Sequence, residues 1–445
     1  MDSPLLPPKS NLNKELSLHL LFIFIISLLL LVPKIFFDLV LADRLITQDT
    51  AVRSITTAWS QEQVITPPIL VFAAQSTQLA TKNDDGSARY EVEQHRLLLL
   101  PHETHMQIKL IGQERQRGIY QATLYQAQVQ MDGYFDMQEL QMQLQDPAFM
   151  QVELSTLAPY FTVLLRDAAG IDEVTTLRVN GHDLTPRPGQ NYQGAQLYDS
   201  FMAALDLNDA TAKVPFSCSF KMRGSLSLAL QALGGQVNLN VSGDNLSPSF
   251  NGRFLPSSHQ VEANAFNATY TLSNLATGYT GLYLDALPDK SDLILDIQQG
   301  RQHYAFVERL SKYALFFIAL TFVTVLAFEL ISGTMVSLVQ YVVVGSALIL
   351  FYMVLLSLSE HVSFLLAYSI SALLMSMMIG LYMKAVFKSW RQGSVIFLIL
   401  MALYVVLYAI VNAENYALLI GTALLVIMLG VVMFITRNLN QKRQG

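Results

Sequence analysis

The sequence predicts an α-helical membrane protein with six spans, one amino-terminal and five carboxy-terminal, and a large inserted β-rich extracytoplasmic domain. Of its 445 residues, 52% are hydrophobic and 14% are charged, whereas about a quarter of a soluble domain is charged. The charges are concentrated in residues 41–312, which hold 28 acidic and 19 basic residues, while the remaining 173 positions hold only 6 acidic and 9 basic ones. An acidic, water-soluble middle therefore separates two apolar ends.

The first apolar run covers residues 16–32. It is longer than the apolar region of about 7–15 residues in a secretory signal peptide. A cleaved signal peptide ending at VLA, residues 40–42, is the alternative. We predict an uncleaved signal anchor over 16–40 that follows a cytoplasmic amino terminus, residues 1–15.

The second apolar region begins with one span at 313–330 and continues with 48 residues, 336–383, in which Glu360 is the only charged residue. A helix of that length would reach about 72 Å, more than twice the roughly 30 Å of hydrocarbon in a bilayer. The run must therefore contain two spans and a reversal near its midpoint, where Glu360 and His361 lie.

Two further runs, 394–411 and 417–435, complete a predicted five-helix bundle over residues 313–435. The loop between the fourth and fifth spans contains Lys384, Lys388 and Arg391, whereas the tips SLSEH and NAEN contain no Lys or Arg. Because basic residues favour the cytoplasmic side, both termini, including the tail 436–445, are predicted to be cytoplasmic and the domain 41–312 periplasmic.

The middle of the chain has the pattern of an antiparallel, half-buried β-structure, with a sandwich of layers as the predicted architecture. Short or alternating apolar runs are separated by Gly- and Asn-rich turns. Helical spacing occurs only at residues 36–59. The predicted strands are 152–157, 161–165, 225–230, 236–241 and 291–297.

Several chemistries are disfavoured by composition and spacing. No basic cluster suits nucleic acid, and the single cysteine, Cys218, excludes an intramolecular disulfide. His95, His102 and His105 could suggest a metal site, but the first spacing crosses an apolar strand and Pro101. Surface histidines in a turn are the favoured interpretation, so no metal and no cofactor is predicted.

The segment LLSLSEH brings together Ser359, Glu360 and His361, the residue types of a hydrolase triad. Side chains of chain neighbours diverge and rarely adopt that geometry, so we predict no enzymatic activity. The favoured interpretation is a polar hairpin tip in which Ser or Glu caps the next helix and which docks against the extracytoplasmic domain, and ligand binding is the alternative.

Three other polar residues near predicted span ends are candidates for a functional or interface role. Glu329 is expected at the cytoplasmic interface, where it needs no partner, and a deeper position would indicate proton or cation coupling. Asn412 and Glu414 form a second outer tip, which could join Glu360 in an acidic ledge. Small-molecule or ion transport through the helix bundle is the alternative function that these carboxylates suggest.

Segments from both halves of the chain resemble the CreD family of cell-envelope inner-membrane proteins. They include AWSQEQVITPPILV (58–71), RDAAGI (166–171), SPSFNGRFLP (247–256), RLSKYALFFIALTF (309–322) and QYVVVGSALILFYMVLLSLSEHVSFLLAY (340–368). The resemblance implies a role in envelope integrity, colicin tolerance and control by a two-component system, and it implies no known enzymatic activity or ligand.

The combined expectation is a non-enzymatic inner-membrane protein whose periplasmic domain contacts envelope components. Its expected partners are the lipid bilayer and envelope proteins, lipids or peptidoglycan-associated components, and nucleic acid is not among them.

Overall fold

A computed structural model of the chain describes residues 11–82, 88–147, 149, 152–189, 198–207, 212–288, 290, 292–297, 302–332, 334–413 and 417–436. The chain forms two compact units: residues 1–49 with 301–445, called the membrane unit below, and residues 50–300, called the β-rich unit. Most of the predicted amino terminus 1–15 and of the tail 436–445 lies outside the described residues.

The helices are α1 (Asn11–Leu29), α2 (Leu31–Trp59), α3 (Met137–Gln143), α4 (Asn274–Thr277), α5 (Gln302–Lys312), α6 (Ala314–Ser332), α7 (Leu338–Ser359), α8 (Phe364–Phe387), α9 (Trp390–Asn412) and α10 (Ala417–Thr436). The strands are β1 (Gln63–Ile65), β2 (Ile69–Lys82), β3 (Ala88–Leu99), β4 (Glu103–Arg117), β5 (Tyr120–Asp136), β6 (Val152–Leu154), β7 (Tyr160–Leu165), β8 (Ile171–Val179), β9 (His182–Asp183), β10 (Arg187–Pro188), β11 (Tyr198–Ala204), β12 (Lys213–Ser225), β13 (Ser227–Leu230), β14 (Gln236–Asp244), β15 (Ser249–Gly252), β16 (Ser258–Val261), β17 (Ala265–Ser273), β18 (Leu282–Leu284) and β19 (Leu293–Asp296).

The amino-terminal helical stretch is interrupted only at Leu30, between α1 and α2. Pro33 is the third residue of α2, where a missing N–H costs little because first-turn amides have no partner within the helix. Residues Leu21–Trp59 form one apolar candidate span of 39 residues. The helix predicted over 36–59 is confirmed.

The carboxy-terminal helices follow the predicted apolar runs closely. Each of α7, α8 and α9 is long and apolar enough to cross a bilayer, and α5 and α6 form a further candidate bent by 51°. The described residues thus contain one amino-terminal and three to four carboxy-terminal candidate spans. The helix α10 lies where the sixth span is predicted, and its membrane crossing stays a prediction. The predicted reversal in 336–383 is confirmed by the turn between α7 and α8.

The described residues of the β-rich unit form two mixed sheets. One has the order β15-β19-β13-β1-β7-β2-β3-β18, with β6, β10 and β11 attached to its side, and the other has the order β16-β17-β14-β4-β5-β12-β8-β9. The prediction of antiparallel structure is wrong for two pairs, β1 with β13 and β4 with β14, which are parallel. Alternating apolar residues determine which face of a strand is buried. They do not determine whether the neighbouring strand runs parallel or antiparallel.

The two sheets share one apolar core. The strand β4 alternates between buried and exposed residues along most of its length. Phe161 on the first sheet lies 6.5 Å from Phe135 and 6.1 Å from Phe216 on the second, measured between ring centroids. A second pair across the sheets, Phe201 and Phe220, is 5.6 Å apart. These contacts agree with the predicted sandwich of layers.

Candidate functional site

A buried carboxylate joins three helices of the membrane unit. Glu329, near the end of α6, has a side chain that is 7% exposed. Its Oε1 lies 3.1 Å from Nε2 of His19 on α1, and its Oε2 accepts a hydrogen bond of 2.9 Å from the Tyr341 hydroxyl on α7. Glu329 therefore has two polar partners, and its expected position at the cytoplasmic interface stays a prediction.

The partners of Glu329 explain how the helices tolerate it. A carboxylate in an apolar interior costs several kcal/mol unless it is paired and hydrogen-bonded. His19 and Tyr341 also contact each other edge to face, with 6.1 Å between their rings. One carboxylate therefore makes polar contacts with both the amino-terminal helix and the carboxy-terminal bundle.

A second polar cluster lies at the other end of α7. Glu360 is the carboxy-terminal cap of that helix, and its Oε1 accepts a hydrogen bond of 3.0 Å from the Tyr304 hydroxyl on α5. Nε of Arg44 on α2 lies 3.8 Å from the same oxygen, and the Glu360 side chain is only 12% exposed. These partners of Glu360 all belong to the membrane unit.

The neighbours of Glu360 do not form a catalytic group with it. The Ser359 hydroxyl is buried and donates to the Leu356 carbonyl at 2.9 Å, while His361 is exposed. The amino-terminal cap of α8 is Ser363, whose side chain makes no capping hydrogen bond. The sequence prediction that Ser or Glu at this tip caps the next helix is therefore corrected, because Glu360 instead ends α7. Docking of the tip against the β-rich unit stays a prediction.

The two clusters are separated by about one bilayer thickness. Tyr341 and Glu360 are 19 residues apart along α7, which corresponds to roughly 28 Å at 1.5 Å per residue. The hydrocarbon layer is about 30 Å thick. Each cluster thus lies near one end of a span, where polar groups are least costly.

The second predicted outer tip is only partly described. Asn412 ends α9, and its side-chain amide donates to the Tyr408 carbonyl at 3.0 Å. Glu414 lies outside the described residues, so the acidic ledge with Glu360 stays a prediction.

Two of the three candidate histidines differ from the expected surface turn, because His95 and His105 lie within strands β3 and β4. The His95 side chain is 10% exposed, so the expectation of a surface position is also wrong for this residue. His102 pairs with Glu139 at 3.1 Å, and His105 lies 3.6 Å from Glu103. Among the described residues, no three His, Cys, Asp or Glu side chains lie together as a metal site requires.

His95 belongs to a hydrogen-bonded chain that sequence reasoning missed. Its Nε2 lies 2.7 Å from Oγ of Ser76 on β2, and its Nδ1 lies 2.7 Å from Oδ2 of Asp285, which follows β18. The residue types, and the nitrogen that faces each partner, match the triad of serine hydrolases. Positions 76, 95 and 285 share no sequence signal, because only strand pairing brings them together.

The environment of Ser76 favours a structural role for this chain. A nucleophile must be reachable by its substrate, yet Ser76 is 5% exposed. It lies within β2, which is paired with β3 on one side and β6 on the other. We therefore interpret the three side chains as a connection between strands β2, β3 and the segment after β18.

Two segments that carry the family resemblance meet at Gln63, which is 1% exposed. Its Nε2 donates to the carbonyls of Asp167 (2.8 Å) and Arg223 (3.1 Å) and to Oγ of Ser60 (3.0 Å). Its Oε1 accepts from the Asp167 N–H at 3.2 Å. A Cβ on Gly170 would lie 2.5 Å from Nε2 of Gln63, so this close approach requires glycine. Both polar atoms of the Gln63 amide therefore have hydrogen-bond partners, as expected of a residue that holds two segments together.

Candidate spans that precede and follow a large two-sheet unit along the chain define a multi-pass membrane protein. The family model described as inner membrane protein CreD matches residues 15–442. The chain belongs to the CreD family of inner membrane proteins, as the resemblance predicted.

The curated relatives include the inner membrane protein CreD of Escherichia coli (strain K12). It is 28% identical over 421 residues, which cover 93% of this chain and 91% of the relative. Among solved structures, a proposed protease from Parabacteroides distasonis ATCC 8503 matches with 8% identity and a TM-score of 0.25, covering 48% of this chain and 43% of that one.

Proposed function

We propose that this CreD-family protein is a non-enzymatic inner-membrane protein that contributes to envelope integrity through contacts between its β-rich unit and envelope components. The family match over residues 15–442 is the observation that carries the proposal. The envelope partners are proteins, lipids or peptidoglycan-associated components.

The proposed topology has six spans, with the sixth at α10, both termini cytoplasmic and the β-rich unit periplasmic. It is supported by Lys384, Lys388 and Arg391 at the turn between α8 and α9 and by the absence of Lys and Arg from residues 360–363. The non-enzymatic role is supported by the divergence of Ser359 and His361 and by the burial of Ser76.

Single cysteines placed in a Cys218→Ala background test the topology in intact spheroplasts. A membrane-impermeant maleimide should label Leu275→Cys, which replaces a side chain 93% exposed in the β-rich unit, and His361→Cys. Lys388→Cys should react only after permeabilisation. Labelling of Lys388→Cys in intact spheroplasts would overturn the proposed orientation.

Complementation tests the role of the β-rich unit. In a strain that lacks its own family member, the full chain should restore resistance to a detergent that damages the envelope. A chain in which residues 50–300 are replaced by a flexible linker, and which still inserts in the membrane, should fail to do so. Full restoration by the shortened chain would refute the proposed contacts.

Transport is the second candidate function, and the buried Glu329 with His19 and Tyr341 is the observation that favours it. Proton or cation flux into proteoliposomes would then fall strongly in Glu329→Gln. Glu308→Gln is the matched control, since Glu308 is half exposed and pairs with Lys312 one helical turn away. Equal flux in the wild type and both variants would exclude a role for Glu329 in transport.

A further inference from the structure

The turn between α8 and α9 concentrates positive charge at one end of two candidate spans. Lys384 lies in the last turn of α8, Lys388 caps that helix with a left-handed φ of 50°, and Arg391 lies in the first turn of α9. Residues 361–413 contain no Asp or Glu. Within the described part of the chain, none of the three cations has a carboxylate partner. The amino-terminal end of α9 adds further positive potential.

A cavity of about 190 Å³ lies between α8 and α9, and Lys384 is the one of these cations that lines it. Gly380 and Gly393 allow the two helices to approach closely, since a Cβ on Gly393 would lie 2.8 Å from the Gly380 carbonyl oxygen. The cavity therefore has a wall of helix backbone. Its other lining residues are Met377, Leu381, Lys384, Trp390, Ser394 and Phe397.

The cationic and apolar parts of the cavity meet at Trp390. The Lys384 Nζ lies 3.2 Å from the centroid of the Trp390 ring, so the ring positions the ammonium group beside the cavity. Trp390 is itself 65% exposed, as expected for a tryptophan at a membrane–water interface. Met377 and Leu381, on the same side of α8, are about half exposed and extend the apolar surface along the span.

We propose that this cavity binds an anionic phospholipid. The phosphate lies against Lys384, Lys388 and Arg391, and one acyl chain lies along Met377, Leu381 and Phe397. The unpaired cations supply the charge complementarity, and basic pockets between spans suit lipid headgroups of this kind. A soluble phosphate would satisfy the cations and leave the apolar wall uncovered. The site is independent of the proposed contacts of the β-rich unit.

Native mass spectrometry of the full chain in a neutral detergent tests the site. The protein is mixed with equal amounts of phosphatidylglycerol and phosphatidylcholine that carry identical acyl chains. Because one basic residue changes anionic-lipid affinity roughly fivefold, phosphatidylglycerol should be retained at least about tenfold better. The combined variant Lys384→Ala, Lys388→Ala and Arg391→Ala should reduce that preference to near parity.

The control variant removes three cations from the β-rich unit, Lys109→Ala, Arg178→Ala and Lys221→Ala, and should keep the preference. A second variant, Ser394→Trp, fills the cavity while it leaves all three cations in place, and it should also lose retained lipid. The proposal is overturned if the wild type retains both lipids equally or if the combined Lys384→Ala, Lys388→Ala and Arg391→Ala variant keeps the preference for phosphatidylglycerol. It is also overturned if millimolar inorganic phosphate displaces phosphatidylglycerol as well as free lipid does.

Discussion

Gln63→Ala is the substitution whose effect on stability can be worked out most directly from the contacts. The Gln63 side chain is buried and bonds to Ser60, Asp167 and Arg223. The variant removes the Oε1 acceptor and the two amide protons that Nε2 donates to three oxygens. The backbone N–H and carbonyl of Asp167 and the carbonyl of Arg223 then lose their hydrogen bonds to Gln63.

The expected loss of unfolding free energy follows from that count. Each hydrogen bond is worth about 1 kcal/mol net, and a buried group left unpaired costs about 1–3 kcal/mol. Three lost bonds therefore predict a destabilisation of about 3 kcal/mol for the β-rich unit. Gln63→Glu should cost more at neutral pH, because its carboxylate would face the carbonyls of Asp167 and Arg223.

Tryptophan fluorescence can report this unfolding in the full chain. The protein has two tryptophans, and Trp390→Phe leaves Trp59 as the only one. The Arg115 and Arg223 side chains lie over the Trp59 ring, so its fluorescence changes when these contacts are lost. Urea titration in detergent micelles would give the unfolding free energy from the Trp59 signal. Gln61→Ala is the matched control, because the Gln61 side chain is exposed and only its backbone N–H is bonded to Asp167.

The predicted role of the Gln63 side chain is refuted if the unfolding free energies of Gln63→Ala and Gln61→Ala differ by less than about 0.5 kcal/mol, a difference typical of surface substitutions. Hydrogen exchange provides an independent measurement, since amides of β1, β7 and β12 should exchange faster only in the Gln63 variants.

Three further outcomes are expected. A fluorophosphonate probe should leave Ser76 unlabelled, as judged against Ser76→Ala and Ser359→Ala, and labelling that only Ser76→Ala abolishes would contradict the non-enzymatic proposal. His19→Ala should destabilise the membrane unit by about 2–3 kcal/mol in a denaturing-detergent titration, because it leaves the buried Glu329 carboxylate without one of its partners. Adding Glu329→Gln to His19→Ala should recover part of that loss. If the effects of the two substitutions on stability simply add, the two side chains are not coupled and the prediction is wrong. Burial raises the pKa of the Cys218 thiol to about 12, so maleimide at pH 8.5 should react at least about 100-fold faster in urea than in the folded protein. Because the folded pKa exceeds the unfolded one, this thiol contributes stability that is lost as pH rises from about 9 towards 12, and equal reaction rates would contradict burial of the thiol.

The membrane helices could be located from sequence because the hydropathy of a segment depends only on the residues within it. The 48-residue run and the length of a bilayer span together required a reversal, and the turn between α7 and α8 lies at the predicted place. The bend between α5 and α6 could not be predicted in this way, since composition does not encode the angle between consecutive helices.

The strands were only partly predictable. QVNLNV and FTVLL lie within β14 and β7, whereas SLSLAL is interrupted at Leu226, which has a φ of 61°. Alternation indicates a strand with one buried face, and the parallel pairing of β4 with β14 depends on contacts between residues more than 100 positions apart.

The sequence by itself determined the class of this protein, the positions of its apolar helices and Glu329 and Glu360 as polar residues that need an explanation. Only the tertiary structure decided what those residues contact. His19 and Glu329 are 310 positions apart, and His95 and Asp285 are 190 apart. Apolar burial follows from runs of neighbouring residues, whereas a hydrogen bond requires two particular atoms within about 3 Å. That proximity depends on helix packing and strand register, which no single segment of the chain encodes.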